Sequence, residues 1–402
     1  MISVFWIITL LLTLFYVMLH VLVWYSVRYR SFWNEFEDGE AITPPVSILI
    51  NSKNEENHII NCLKSLAAQD YPKENIEVII IDESTDNTPN IVKDFIANNE
   101  ENGISVKLIT PETPAPPYVN NLVHCINIGM KNASHDMIAY TEADCAPYKG
   151  WLRSLMYPLG DPKIGFAGTH GVIMGNGLSA TLQRLEFSGL LFEYTAGIDN
   201  LRRYLKVGGV AWAGSLGFIR KAYDEVEGYK GIEHIHIHEV ALCAKMSRAG
   251  YENRFIFHPD AKVETTPHPD PIRQRLRWFR GNWQTKEYKF HVATFGMYEL
   301  PLFFETSAYI TIILNFFIEV APEDFNAAIL VIVTSLIVKY ATLFQFSRSP
   351  MLLKGYPLSA RAVFFYYFWL YLIQWLYFFS IFTRPKTTWR EEEPPKPEIS
   401  NS

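Results

Sequence analysis

The chain has 402 residues, 49% of them hydrophobic and 15% aromatic, with a formal net charge of -6. That length exceeds one minimal domain, and the mild acidic balance argues against a nucleic-acid binder, which carries a basic excess. The four cysteines are scattered without a C-x-x-C pair, so free thiols in a reducing compartment fit better than a disulfide framework or a zinc knuckle.

Residues 4–27 are almost wholly apolar and aromatic. A bilayer crossing takes about 20 residues, so this run is long enough. No basic side chain precedes it, whereas Arg28 and Arg30 follow it. It therefore reads as an uncleaved anchor over 1–28 with its C-terminal end in the cytosol, not as a signal peptide.

A mixed, globular section covers 44–291. PPVSILINSKNEENHIINCLKSLAAQ reads as a buried strand, a polar loop and an amphipathic helix. EVIIIDESTDNTPNIVKDFIAN repeats the pattern, with Thr88 as the expected cap of the second helix and Pro89 at its first position. KLIT and MIAYTEAD are further strands, with a helix over 119–131 between them. Alternating strands and helices predict an α/β domain built on a parallel sheet. Ligands bind such sheets at the carboxyl ends of the strands. Those ends carry Asn54 and Glu55, then Asp82 and Glu83, then Glu142 and Asp144. One such loop by itself is an ordinary solvated turn. Three in succession repel one another unless a cation is present, and magnesium is commonly held by one or two carboxylates plus substrate phosphates.

Later in this section, HIHIHEVALCAKMSRAGY holds three alternating histidines, His234, His236 and His238. On an extended strand they would share a face and be able to bind zinc, but no cysteine or fourth ligand lies nearby, and a loop is the simpler reading. The section closes on QRLRWFRGNW, residues 274–283. On a helix Gln274, Arg277 and Trp278 share one face. Arg277 is suited to a bidentate grip on phosphate, Trp278 to stacking on a sugar ring, and Gln274 to neutral hydrogen bonding. Surface anchoring at lipid headgroups, the plainer reading of Arg and Trp here, needs neither Gln274 nor this register.

Three further apolar runs, 300–320, 325–346 and 362–382, predict three transmembrane helices over 298–383. The connection EVAPEDFN is acidic, and SRSPMLLKGYPLSAR carries Arg348, Lys354 and Arg361. The positive-inside rule puts the basic loop, and by counting back the globular section, in the cytosol. The proline-rich tail 384–402, with its three consecutive glutamates, reads as disordered.

The order P-x-V-S-I-L-I, N-E-E, D-E-S-T-D-N-T, an acidic-x-Asp turn and Q-R-L-R-W resembles the membrane-integrated family-2 glycosyltransferases of GT-A (Rossmann-like) fold: hyaluronan, chitin and cellulose synthases and ceramide glucosyltransferase. The resemblance implies an inverting hexosyltransferase, integral to the cell membrane with its catalytic domain cytosolic. It would use a nucleotide-diphosphate sugar, foremost a UDP-sugar, with Mg2+ or Mn2+. The acceptor would be a growing polysaccharide or a membrane lipid, and an oligomer stays open. It implies a metal site at Asp144 and Glu142, and donor contacts from Asn54, Glu55, Asp82, Glu83, Gln274 and Arg277. Trp278, Gly214, Ser215 and His238 would lie on the acceptor side. Alignment on Leu242 and Gly250 puts Glu239 at the position of the catalytic base, where the family has aspartate, and His238 where a glutamate is usual. In VAWAGSLGFIRKAY the glycines would let a sugar approach the backbone. Other departures are Glu83 and Glu142 in place of aspartates, and NNLVHCINIGM without the family's lysine. They leave room for a catalytically degenerate nucleotide-binding scaffold or sensor as the alternative.

Overall fold

The computed structural model describes residues 3–29, 42–98, 103–191, 195–197, 199, 211–285, 300–348 and 358–383. Arg30 and Lys354, residues 286–291 at the end of the globular section and the tail 384–402 lie outside them.

The strands of the globular section are β1 (Val46–Ser52), β2 (Ile76–Asp82), β3 (Ser105–Ile109), β4 (Met137–Glu142), β5 (Cys145–Pro147), β6 (Ile164–Thr169), β7 (Gly171–Ile173), β8 (Leu216–Ile219), β9 (Glu252–Ile256) and β10 (Val263–Thr265). The main sheet has the order β3-β2-β1-β4-β8-β6-β9, and β5-β10-β7 form a small second sheet. The intervening helices are α2 (Ile59–Ala67), α3 (Thr88–Ala97), α4 (Asn121–Asn132), α5 (Trp151–Leu159) and α6 (Leu178–Gln183). A π-helical segment, Arg184–Leu191, continues α6. Then come α7 (Arg220–Glu225), α8 (His238–Arg248) and α9 (Pro271–Thr285).

β1 and β2 are buried at every position because helices cover both faces of the sheet. Successive side chains of a strand point to opposite faces. Accordingly Ile48 and Ile50 join one core with Leu63 of α2 and Trp151 of α5, while Leu49 joins the other with Val123 and Ile126 of α4. The sheet is not wholly parallel as the alternating pattern predicted: β8 runs antiparallel to both β4 and β6. A four-residue apolar strand carries no signal of its direction. The helix after β2 also starts differently. Asn87 is the capping position, and the Thr88 hydroxyl instead accepts from the Glu55 amide at 2.9 Å and donates to Asp86 at 2.6 Å. The four cysteines are free and buried.

Among the described residues, three helices are long and apolar enough to cross a membrane: α1 (Val4–Tyr29), α11 (Pro322–Arg348) and α12 (Ala360–Ser380). Between the globular section and α11 lies α10 (Leu300–Leu314), with 15 described residues. The expected span over 300–320 is therefore shortened, because the chain turns at 315–318. At 1.5 Å per residue the described part of α10 reaches about 22 Å.

Candidate active site

The register of the sheet brings the acidic strand ends level. Ser52 pairs with Asp82 across β1 and β2, and Asn51 pairs with Glu142 across β1 and β4. The Ser52 hydroxyl and the Asn51 side-chain oxygen are buried there with no hydrogen-bond partner. Buried polar atoms are nearly always satisfied, so this row of strand ends has the chemistry of a ligand edge. Neither residue stands out in the sequence, because each ends an otherwise apolar strand.

The first two loops are tied together. Asn54 sits at φ 58, a left-handed conformation that asparagine tolerates. Its amide donates to Ser84 Oγ at 2.7 Å, and its side-chain oxygen accepts from the Thr85 amide at 2.9 Å. Ser84 Oγ donates to Asp82 Oδ1 at 2.6 Å. Glu83 turns toward α4, where its Oε2 accepts from Asn121 and from Cys125 Sγ. Burial pushes the Cys62 thiol's pKa up, and the nearby carboxylates of Asp144 and Glu55 add to the shift.

Among the described residues, the grouping able to hold a metal ion is Glu142, Asp144 and Cys145, whose ligand atoms lie within 4.8 Å of one another. Two hard carboxylate oxygens suit magnesium or manganese. Burial keeps the Cys145 thiol protonated, helped by Asp144 and Glu142, which leaves the carboxylates as the ligands. The histidine alternative is not built. Residues 231–237 form turns instead of a strand, His234 is exposed, and His236 and His238 are buried.

Glu239 lies in the first turn of α8. Burial raises its carboxyl from 4.5 to about 7, against the opposing pull of its own backbone N–H and of the Arg277 guanidinium. Arg277 is thus close to Glu239, and it also acts on His268. The Tyr140 hydroxyl, pushed up first by burial, feels both Glu142 and Glu239. The structure therefore gathers Glu142, Glu239 and Arg277 around one region. Helix α9 reaches it by close packing. The His236 amide donates to Gln284 at 3.2 Å, and a Cβ on Gly281 would lie 2.9 Å from Ile237.

Three residues expected on the acceptor side have inward-facing surroundings. The Ser215 hydroxyl is fully buried, accepting from the Trp151 indole at 2.7 Å and paired with Thr169 Oγ1 at 2.6 Å. Gly214 lacks a side chain because Trp212 fills the space: a Cβ there would lie 2.2 Å from the indole. His238 points into the core between Tyr140 and Tyr229, with its pKa lowered to about 3 by burial. It stays neutral, with Nδ1 3.3 Å from Glu239 Oε2.

Gln274, Arg277 and Trp278 lie on α9 as expected, and Arg275 is an addition. Arg275 is fully buried, and its Nε donates to Glu186 Oε2 at 3.0 Å. It also donates to the Gln274 side-chain oxygen. Its guanidinium lies over the Trp278 ring at 4.6 Å. The sequence signal for this pair is thin: a second arginine inside the motif and a lone glutamate in an apolar stretch.

Residues 47–226 match the family described as Glycosyl transferase family 2. A dolichyl N-acetyl-alpha-D-glucosaminyl phosphate 3-beta-D-2,3-diacetamido-2,3-dideoxy-beta-D-glucuronosyltransferase from Methanococcus voltae is 31% identical over 151 residues, 36% of this chain and 44% of that protein. The probable glycosyltransferase YdaM of Bacillus subtilis (strain 168) is 26% identical over 291 residues, 67% of this chain and 66% of that protein. The chain thus spans less than half of the first relative and just under two thirds of the second. Among solved structures, the mannosyltransferase PcManGT from Pyrobaculum calidifontis, in complex with GDP-Man and Mn2+, superposes with a TM-score of 0.57. It covers 92% of this chain and 96% of its own at 16% identity, a likeness of fold.

Proposed function

We propose that this chain, whose residues 47–226 match Glycosyl transferase family 2, is an inverting glycosyltransferase that transfers a sugar from a nucleotide-diphosphate donor to an acceptor at the cytosolic surface of the cell membrane. The acceptor is a membrane lipid or a growing polysaccharide. The observation that carries this reading is the pair of carboxylates at the strand ends, Glu142 and Asp144 within 4.8 Å of each other, with Glu239, a carboxyl raised to about 7 by burial, in electrostatic reach of Arg277.

Each group has a role fitted to its surroundings. Asp82, Asn54 and Glu55, with Glu83 behind them, hold the nucleotide. Glu142 and Asp144 hold the divalent cation, which when bound supplies charge neutralisation for the diphosphate. Arg277 stabilises the leaving diphosphate electrostatically, with Gln274 beside it. Glu239 accepts the proton of the attacking hydroxyl. A base is most effective with a pKa near the working pH, and burial has brought this one there. Trp278 offers the acceptor a flat apolar surface. Residues 1–28 anchor the domain, 44–291 form the catalytic unit, and the apolar helices of 298–383 dock it on the bilayer.

The test is a panel of UDP- and GDP-sugars incubated with membranes containing the protein, followed by separation of products into lipid and polymer fractions. Transfer from one donor, lost with EDTA and restored by Mn2+ or Mg2+, is the expected result. No transfer from any donor would refute the reading.

A further inference from the structure

The Glu186–Arg275 pair belongs to none of the roles above. Glu186 lies in the π-helical segment and Arg275 in α9, 89 positions apart in the chain. Both are almost wholly enclosed, with side-chain exposures of 2% and 0%. Two guanidinium nitrogens, Nε and Nη2, donate to one carboxylate oxygen, Oε2. The remaining face of the guanidinium is not idle: Arg275 lies 4.6 Å from the centroid of Trp278 and 5.7 Å from that of Phe187. Phe187 in turn stands 5.2 Å from Trp278 at an interplanar angle of 31°. Arg275 also donates to Gln274.

A buried ion pair adds little net stability, because desolvating two charges offsets their attraction; its best-attested use is to specify one arrangement. Arginine's planar fork suits that task, since it pairs with a carboxylate and stacks on an aromatic ring at once. We infer that Glu186 and Arg275 are positioning residues that set the plane of Trp278 and the rotamer of Gln274, and so determine how the acceptor is received. This inference rests on the acceptor role proposed for Trp278.

The experiment uses the full-length protein in detergent and compares Arg275→Met, Glu186→Leu and the double variant. Each single variant leaves a buried charge without its partner and is expected to unfold at lower temperature. The double variant, apolar at both positions, is expected to recover the unfolding temperature of the unaltered protein while its transfer stays at least tenfold down, chiefly through the acceptor KM. Binding of UDP and of GDP with Mn2+, followed by calorimetry, is expected to stay within twofold. A double variant with normal stability and normal transfer would show that the pair only holds the fold. A double variant whose loss falls on UDP or GDP binding would overturn the acceptor role. If the unaltered protein transfers no sugar from any donor, the proposed function itself fails, and this inference with it.

Discussion

Glu239 carries opposite demands from folding and from chemistry. Its carboxyl has a pKa of about 7 in the folded chain against an ordinary 4.5, so the folded state holds the proton more tightly. Stability from that proton is fully present below about pH 4.5 and is lost as pH rises through about 7. The shift corresponds to roughly 3 kcal/mol at most. Glu239→Gln, which cannot ionise, is therefore expected to raise the unfolding temperature at pH 8 and leave it unchanged near pH 4. The same variant is expected to lower transfer by about 10²- to 10⁴-fold, with Mn2+–nucleotide binding retained. In the unaltered enzyme the rate should climb with pH through about 7 and level off above it. A flat profile between pH 6 and 8 would exclude Glu239 as the base. Gly281 is the second residue-scale test. Its missing Cβ lets α9 approach Ile237, and Gly281→Ala is expected to reduce turnover by roughly ten- to a hundredfold through misplacement of Arg277.

Helix α9 is where the catalytic unit meets the apolar helices. One face presents Gln274, Arg277 and Trp278, and another packs on α12. Phe279 meets Tyr377 edge-on at 5.0 Å, and the Trp283 indole donates to Ser380 Oγ at 3.0 Å. At the next turn Arg280 Nε donates to Thr383 Oγ1 at 3.0 Å. The motif is therefore seated on a candidate membrane span instead of floating beside it. Trp283→Leu removes the indole hydrogen bond and the contact with Tyr377. It is expected to cut transfer by about tenfold, equivalent to about 1.4 kcal/mol of barrier, with nucleotide binding kept. Unchanged transfer in that variant would show that α12 holds the domain without setting the site. Strands β1 to β4 and helices α2 to α4 were readable from periodicity and turn chemistry. The short strands β5 to β10 and helices α5 to α7 were not, because elements of three to nine residues carry too little pattern, and the apolar sequence of α10 runs on past the turn that ends it.

Across the whole molecule, the apolar helices are joined by a buried polar cluster. Lys339 of α11 donates to Glu305 of α10 at 2.8 Å, and Tyr367 of α12 donates to the same carboxylate at 3.2 Å. A 15-residue helix is thereby held among longer ones. Charged groups in such surroundings are costly unless paired. Lys339→Met leaves Glu305 uncompensated and is expected to cost about 3–5 kcal/mol, seen as a lower unfolding temperature in detergent. Glu305→Leu combined with Lys339→Met should recover most of that loss. Failure of the double variant to recover would assign the cluster a role beyond pairing.

Local pattern was enough for the α/β plan, the acidic strand ends, the apolar helices and the QRLRW face, because each depends on residues a few positions apart. It did not reach the Glu186–Arg275 pair, the inward turn of Ser215 and His238, or the indole that occupies the space beside Gly214. Those depend on which distant segments meet, and only packing chooses among the partners that a buried arginine, hydroxyl or imidazole would accept. The raised carboxyl of Glu239 is of the second kind as well. A glutamate acquires that pKa from the neighbours that exclude water from it, and no count along the chain contains them.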